Sequence, residues 1–303
     1  MRLTHGPVEA SRGGVLRHGP AMSRLTGLRA AACAVLLVLA GSPQFAVAAK
    51  PAPKPPAASG SFTDHFNAYD ATRWSKADGW KNGSPFDNAW RADHVTHDAA
   101  ASRMTITLDN RAYLGEPYSS GEYRTKGFHG YGCYEARFKP IKQPGVVTSF
   151  FTFAGPYDNG GNGRHNEIDI EFLGEDTRSI QFNYWTNDDT YSSQNEYVMT
   201  FPTDFSLEAH NFGFRWADSR IDWYVDGSLV YSATAGTPKA SDSLHKIMMN
   251  VWPVDATAAG WAGTFSYPGT PLRAQYEWVR YDSASTCGFT AAGATPQLTY
   301  TNP

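Results

Sequence analysis

An all-β domain, a sandwich or a barrel, is the fold class this sequence predicts, and three observations carry it. Short segments of alternating apolar and polar residues recur across residues 61–282, with turn signals between them. Asp226-Gly227 separates two such segments, 221–225 and 228–231, which is the signature of a tight β-hairpin. No stretch shows a long apolar period of 3.6 residues, and no internal repeat is present. A domain of roughly 220 residues is large, but sandwiches and barrels reach that size as single units.

The N-terminus has the composition of a targeting segment. Arg24 and Arg29 precede an apolar run over residues 30–40, and Ala46-Val47-Ala48 supplies a small-x-small cleavage signal. Residues 1–48 are therefore expected to be a signal peptide. Met22 starts a better proportioned one than Met1, which makes 1–21 an upstream mis-start or an extended basic region. The apolar run is shorter than the ~20 residues a bilayer span needs, so no membrane attachment is expected after cleavage. Residues 49–60, rich in Pro and Ala, are expected to be a spacer. The main domain is expected over 61–282, with a tail over 283–303 that has no functional reading. Secretion is the expected destination, with the periplasm as the other possibility, and a monomer the expected state.

The 303 residues carry a formal net charge of −3, with no basic excess to attract nucleic acid. Aromatic residues make up 14% of the chain, which suits stacking on flat sugar rings but equally suits ordinary cores. Of three cysteines, Cys33 would leave with the signal peptide. Cys133 and Cys287 remain in an exported chain, so one disulfide is a candidate beside two free buried thiols. The cysteine and histidine spacings match no zinc site, and no metal or cofactor is expected.

Several strands sort their residues onto two chemically different faces. In 121–125, Glu122 and Arg124 share a face. In 149–153, Phe151 and Phe153 do. In 180–185, Gln181, Asn183 and Trp185 face one way, and Ile180, Phe182 and Tyr184 the other. In 246–252, Asn250 and Trp252 oppose Ile247, Met249 and Val251. One face thus collects amides, charges and rings, as a sugar-binding groove would. Each residue also has a plain reading: a cross-strand charge pair for Glu122 and Arg124, core packing for Phe151 and Phe153, an end plug for Trp252.

The densest signal is His165-Asn166-Glu167-Ile168-Asp169-Ile170-Glu171-Phe172-Leu173-Gly174. Strict period-two alternation puts three carboxyls on one face and three apolar side chains on the other. Like charges this close repel, so a purely structural strand should avoid the pattern. A glycosidase needs it, because one carboxylate must attack while a second stays protonated to donate. On a flat strand the Cα atoms of Glu167 and Glu171 lie roughly 13 Å apart. If both side chains lean inward the gap closes to about 5–6 Å, near the spacing of retaining enzymes. A solvated acidic edge strand is the alternative. His165 is expected to be a loop residue rather than a base, and Asn159-Gly160-Gly161-Asn162-Gly163 a rim loop rather than a phosphate cradle, since no helix follows it.

On these residues the chain resembles glycoside hydrolase family 16, and within it the bacterial lichenases, endo-1,3-1,4-β-glucanases. The resemblance runs over residues 61–282. Glu167-Ile168-Asp169-Ile170-Glu171-Phe172-Leu173-Gly174 is similar to the family's active-site signature. Lys76-Ala77-Asp78-Gly79-Trp80, Gly130-Tyr131-Gly132, Ser149-Phe150-Phe151-Thr152, Trp223-Tyr224-Val225-Asp226-Gly227 and Lys246-Ile247-Met248-Met249-Asn250 fall in the family's order. The resemblance implies a β-jelly-roll sandwich of two antiparallel sheets with an open concave cleft for β-glucan or a related polysaccharide. It implies Glu167 as nucleophile, Glu171 as acid/base, and Asp169 hydrogen-bonded to the nucleophile while its charge helps keep Glu171 protonated. Asn82, Phe86, Glu122, Arg124, Asn183 and Asn250 match positions that hold sugar hydroxyls or flank the subsites. Trp80, Phe151, Phe153, Trp185 and Trp252 match positions that line or stack in the cleft. The laminarinase branch usually carries an extra Met between the residues matching Asp169 and Glu171, and this chain does not.

There are departures. Lichenases often have a Trp where His165 stands. Their disulfide positions correspond to Asn88 and Ser120, and their calcium-binding Asp to Glu277, which argues against a structural calcium. Two other functions stay open at this point: a depolymerase of a bacterial acidic exopolysaccharide of the succinoglycan type, and a non-catalytic glucan-binding lectin. A transglycosylase is a further variant if the acceptor subsites exclude water.

Overall fold

In the computed structural model, which describes residues 60–190, 192, 195–284 and 287, the alternating segments become strands. In chain order these begin with β1 (Phe62–Asp64), β2 (Trp74–Lys76), β3 (Trp80–Lys81), β4 (Asn88–Trp90), β5 (Val95–Asp98) and β6 (Arg103–Leu108). Then come β7 (Tyr118–Ser120), β8 (Glu122–Thr125), β9 (Gly132–Lys139), β10 (Val146–Ala154), β11 (Asn166–Leu173) and β12 (Ser179–Trp185). The last are β13 (Tyr197–Thr200), β14 (His210–Ala217), β15 (Arg220–Val225), β16 (Ser228–Ala233), β17 (Lys246–Pro253) and β18 (Leu272–Asp282). The expected signal peptide, the spacer apart from Gly60, and most of the tail lie outside the described residues.

Two large antiparallel sheets face each other. The inner sheet runs β13-β12-β11-β10-β17-β8-β2, and the outer β16-β15-β14-β9-β18-β6-β5, with β1 also paired to β18. A small sheet, β3-β4-β7, flanks them. This is the jelly-roll sandwich that the resemblance implies. The apolar sides of the strands meet between the sheets: Ile168, Ile170 and Phe172 of β11 pack with Phe182, Met249, Phe138, Phe212 and Tyr276 in one core. Fully burying side chains of this size contributes roughly 1.5–3 kcal/mol each.

Two outer-sheet residues also tie down the inner sheet by hydrogen bonds through the core. The indole of Trp223 donates to the backbone oxygen of Asp169 at 3.0 Å, and the hydroxyl of Tyr276 donates to that of Ser149 at 2.9 Å. These fix β11 and β10 from behind. The hairpin at Asp226-Gly227 joins β15 to β16, with φ of 46° and 81°. That left-handed pair is the geometry that favours Asp-Gly in a two-residue turn.

Cys133, on β9, and Cys287 have Cα atoms 5.3 Å apart, a separation that a disulfide spans.

Candidate active site

The face of the inner sheet turned away from the core gathers the residues the sequence singled out. Strand register places them in three rows across the sheet. One row is Lys246, Phe153, Glu167 and Trp185. The next is Arg124, Met248, Phe151, Asp169 and Asn183. The third is Glu122, Asn250, Ser149, Glu171 and Gln181. The period-two pattern in β11 puts one acid in each row.

The three carboxyls are chemically distinct. Burial pushes Glu171 up to about 8, with the charge of Glu167 adding to it and a hydrogen bond from Gln181 opposing it. Gln181 Nε2 donates to Glu171 Oε2 at 3.0 Å, and Trp261 Nε1 in turn donates to Gln181 Oε1 at 2.9 Å. Asp169 is pushed well above the usual carboxylate range by burial, then by the charges of Glu167 and Glu171, and it shares a side-chain hydrogen bond with Glu167. Glu167 is thus the neighbouring charge that raises Glu171, while Asp169 is raised by both glutamates as well as by burial.

Glu167 also meets His165, whose Nε2 lies 2.5 Å from Glu167 Oε2. The sequence reading of His165 as a plain loop residue missed this. Its partner on the other side, the backbone oxygen of Asp188, comes from a turn 23 residues away, and no local pattern announces it.

Glu122 is almost fully buried, and burial lifts it to about 7, against the opposing effects of Arg124 and Asn250. Asn250 Nδ2 donates to Glu122 Oε2 at 3.3 Å, while Ser149 Oγ donates to Asn250 Oδ1. Arg124 lies 3.7 Å from Glu122 and covers one face of Trp80 at 5.2 Å. Lys246 is paired with Asp158. Asn82 accepts the indole N–H of Trp90 at 3.1 Å, and the amide oxygen of Asn183 accepts the backbone N–H groups of Tyr184 and Asn195.

Among the rings, Phe86 stacks on Trp252 with centroids 4.0 Å apart, and Trp252 belongs to a small buried cluster with Trp90, Val147 and Val254. Phe151 and Trp185 are also nearly buried. These three form the floor of the site rather than open stacking platforms, because neighbouring strands and the small sheet cover them. Trp80, Phe86 and Phe153 keep partial exposure. Sequence reasoning put Gln181 on the polar face with Asn183 and Trp185 but did not pair it with Glu171, and it missed Trp261, which sits in a four-residue helix, Ala259–Ala262. A cavity of about 190 Å³ adjoins this end, lined by Leu173, Ser179, Gln181, Val198 and Trp261.

Glu277, the position matching the calcium-binding Asp, lies 2.7 Å from Arg137 Nε. A guanidinium beside that carboxylate disfavours a cation, so the residues present do not fit calcium there. Among the described residues no group of three His, Cys, Asp or Glu side chains could hold a metal.

A sandwich that sets two glutamates and a buried Asp on one strand face, over a floor of amides and rings, carries the groups that carbohydrate cleavage needs. The family model for glycosyl hydrolases family 16 matches residues 82–280, and the chain belongs to that family. It is 46% identical over 225 residues to a β-glucanase of Acetivibrio thermocellus, a match covering 73% of this chain and 62% of that protein. Its structure is similar to that of the Bacillus licheniformis β-glucanase, with a TM-score of 0.67 and 40% identity, covering 74% of this chain and 99% of that one. A prokaryotic β-1,3-1,4-glucanase (lichenase) from a mouse hindgut metagenome gives 0.66 and 41%, again covering 74% and 99%.

Proposed function

We propose that this chain is an exported, retaining endo-β-glucanase that cleaves mixed-linkage 1,3-1,4-β-glucan. The observation that carries the reading is Glu171, half-buried and lifted to about 8, on the same face as Glu167. At neutral pH such a group holds a proton, as a general acid must. In the first step Glu171 gives that proton to the glycosidic oxygen while a Glu167 oxygen attacks the anomeric carbon. The carbon–oxygen bond breaks, the leaving sugar departs as an alcohol, and a glycosyl ester remains on Glu167. Glu171, now a carboxylate, takes a proton from water, whose oxygen attacks the same carbon and frees Glu167.

The substrate rests on similarity to enzymes named as β-glucanases and on the charge of the cleft. Both cleft cations, Arg124 and Lys246, already face protein carboxylates, which favours a neutral glucan over an acidic exopolysaccharide. Glu122, Arg124, Asn82, Asn183 and Asn250 would hold hydroxyls, and Trp80, Phe86 and Phe153 would pack against ring faces. A lectin has no use for a carboxyl kept protonated beside a second carboxylate. Reducing-sugar release from mixed-linkage cereal β-glucan tests the reading, with Glu171→Gln as control. Rapid release that the variant loses supports it; folded protein that binds this glucan without cutting it overturns it. Proton NMR of the first product, showing the β-anomer before mutarotation, tests retention.

A further inference from the structure

His165 is gripped at three atoms. Its backbone N–H donates to the carboxylate of Asp189 at 2.8 Å. Its Nδ1 lies 3.1 Å from the backbone oxygen of Asp188, and its Nε2 lies 2.5 Å from Glu167 Oε2. The ring is stacked against Trp185, with centroids 5.5 Å apart and planes 26° apart, and packs beside Phe153 at 5.4 Å. Asp188 is itself fixed, because its carboxylate accepts from the backbone N–H groups of Thr190 and Ser192.

A carbonyl oxygen only accepts, so Nδ1 must carry a proton. A neutral ring would then turn the Nε2 lone pair toward a carboxylate oxygen at 2.5 Å, where two acceptors would meet. The contact requires a proton between them, and Nε2 carries it as long as Glu167 is the ionised partner. Glu167 on β11, with Asp188 and Asp189 on the turn after β12, supplies the charge that holds it there, while Asp169 of β11 and Glu122 of β8, on the same face of the sheet, are both raised by burial. The cations nearby, Arg164 and Lys246, are paired with Asp189 and Asp158. Burial pulls the imidazole down, but Glu167 and Asp188 outweigh it and leave it above its ordinary 6.5.

We propose that His165 is a positioning residue for the nucleophile, fixing the rotation of the Glu167 carboxylate through a donated Nε2–H while Asp188 clamps the opposite edge of the ring. The role rests on the assignment of Glu167 proposed above. Holding a reacting oxygen to within a fraction of an ångström affects the chemical step more than binding.

Two variants and one spectroscopic measurement test it. His165→Phe keeps a stacking ring and removes the donor. His165→Gln keeps a donor that does not titrate. On mixed-linkage cereal β-glucan, His165→Phe is expected to lower kcat about tenfold or more, with KM within about twofold. His165→Gln is expected to recover most of that loss, and its activity should fall less steeply above neutral pH than the wild type's, where His165 and Glu171 both lose protons. Nitrogen-15 NMR of the resting wild-type protein near neutral pH is expected to show both ring nitrogens of His165 protonated. In Glu167→Gln it should show a neutral ring protonated at Nδ1. An unchanged kcat in His165→Phe, a loss confined to KM, or a neutral His165 in the wild type would overturn the proposal. The NMR measurement needs no substrate and no folded His165 variant, so it decides the point even if the glucan reading fails.

Discussion

Glu171 and Glu167 differ only in what surrounds them, and that difference sets their chemistry. If Glu167 is the nucleophile proposed above, Glu167→Gln leaves a neutral amide too weak to attack, so hydrolysis should fall below about one per cent of wild type while circular dichroism stays unchanged. Glu171→Gln has a second, less obvious consequence. Because the folded state binds the Glu171 proton more tightly than the unfolded chain does, the stability this contributes is complete below about 4.5 and is lost as pH rises through about 8. Glutamine does not titrate. The variant should therefore unfold at a higher temperature than wild type at pH 8, by on the order of 1–3 kcal/mol of stability, and at the same temperature at pH 4. Melting curves at the two values check this; equal curves at pH 8 would mean Glu171 is not buried as a proton donor. The triad was legible in the sequence because strand periodicity alone puts Glu167, Asp169 and Glu171 on one face. The upward shift of Asp169 was not, since it follows from how deeply neighbouring strands bury that carboxyl.

At the scale of elements, β11 is held from three sides: by β10 and β12 in the sheet, and by Trp223 through the core. The turn that leads into it is fixed by close packing. A Cβ placed on Gly160 would lie 2.0 Å from Phe128 Cδ1, against the body of the ring. Gly160→Ala must therefore displace Phe128 or the loop, and Phe128 also carries Lys246 over its face at 5.1 Å. We expect a cost of about 1–3 kcal/mol and a loss of hydrolysis, read by thermal melts and the glucan assay together. A variant as stable and active as wild type would show that the loop yields freely. The sequence reading of residues 159–163 as a rim loop identified the glycines but not this packing, because Phe128 is distant in the chain. By contrast, the β15–β16 hairpin was fully legible, since Asp226-Gly227 specifies its own left-handed geometry.

At the scale of the molecule, the all-β class and the two-faced strands could be read directly, while the order of strands could not. β10 pairs with β17 across 101 residues, as Ser149 and Asn250 show, and nothing local encodes a partner so distant. The same holds for Cys133 and Cys287, 154 residues apart. If they are bridged, intact mass should rise by about 2 Da on reduction, and Cys287→Ser should lower the melting temperature. No mass change would establish two free thiols.

The pairing of β1 with β18 has a consequence for how this unit can be joined to others. Phe62 lies opposite Tyr281, and Ser61 Oγ donates to Asp282 Oδ1 at 3.0 Å. The first and last strands thus meet side by side on the outer sheet, on the opposite side of the sandwich from the face that carries Glu167 and Glu171. An anchor or second module grafted at either position would leave from one corner of the outer sheet. The same adjacency would let β1 and β18 be spliced together by a short linker and the chain reopened at an exposed turn elsewhere, with the acidic face undisturbed.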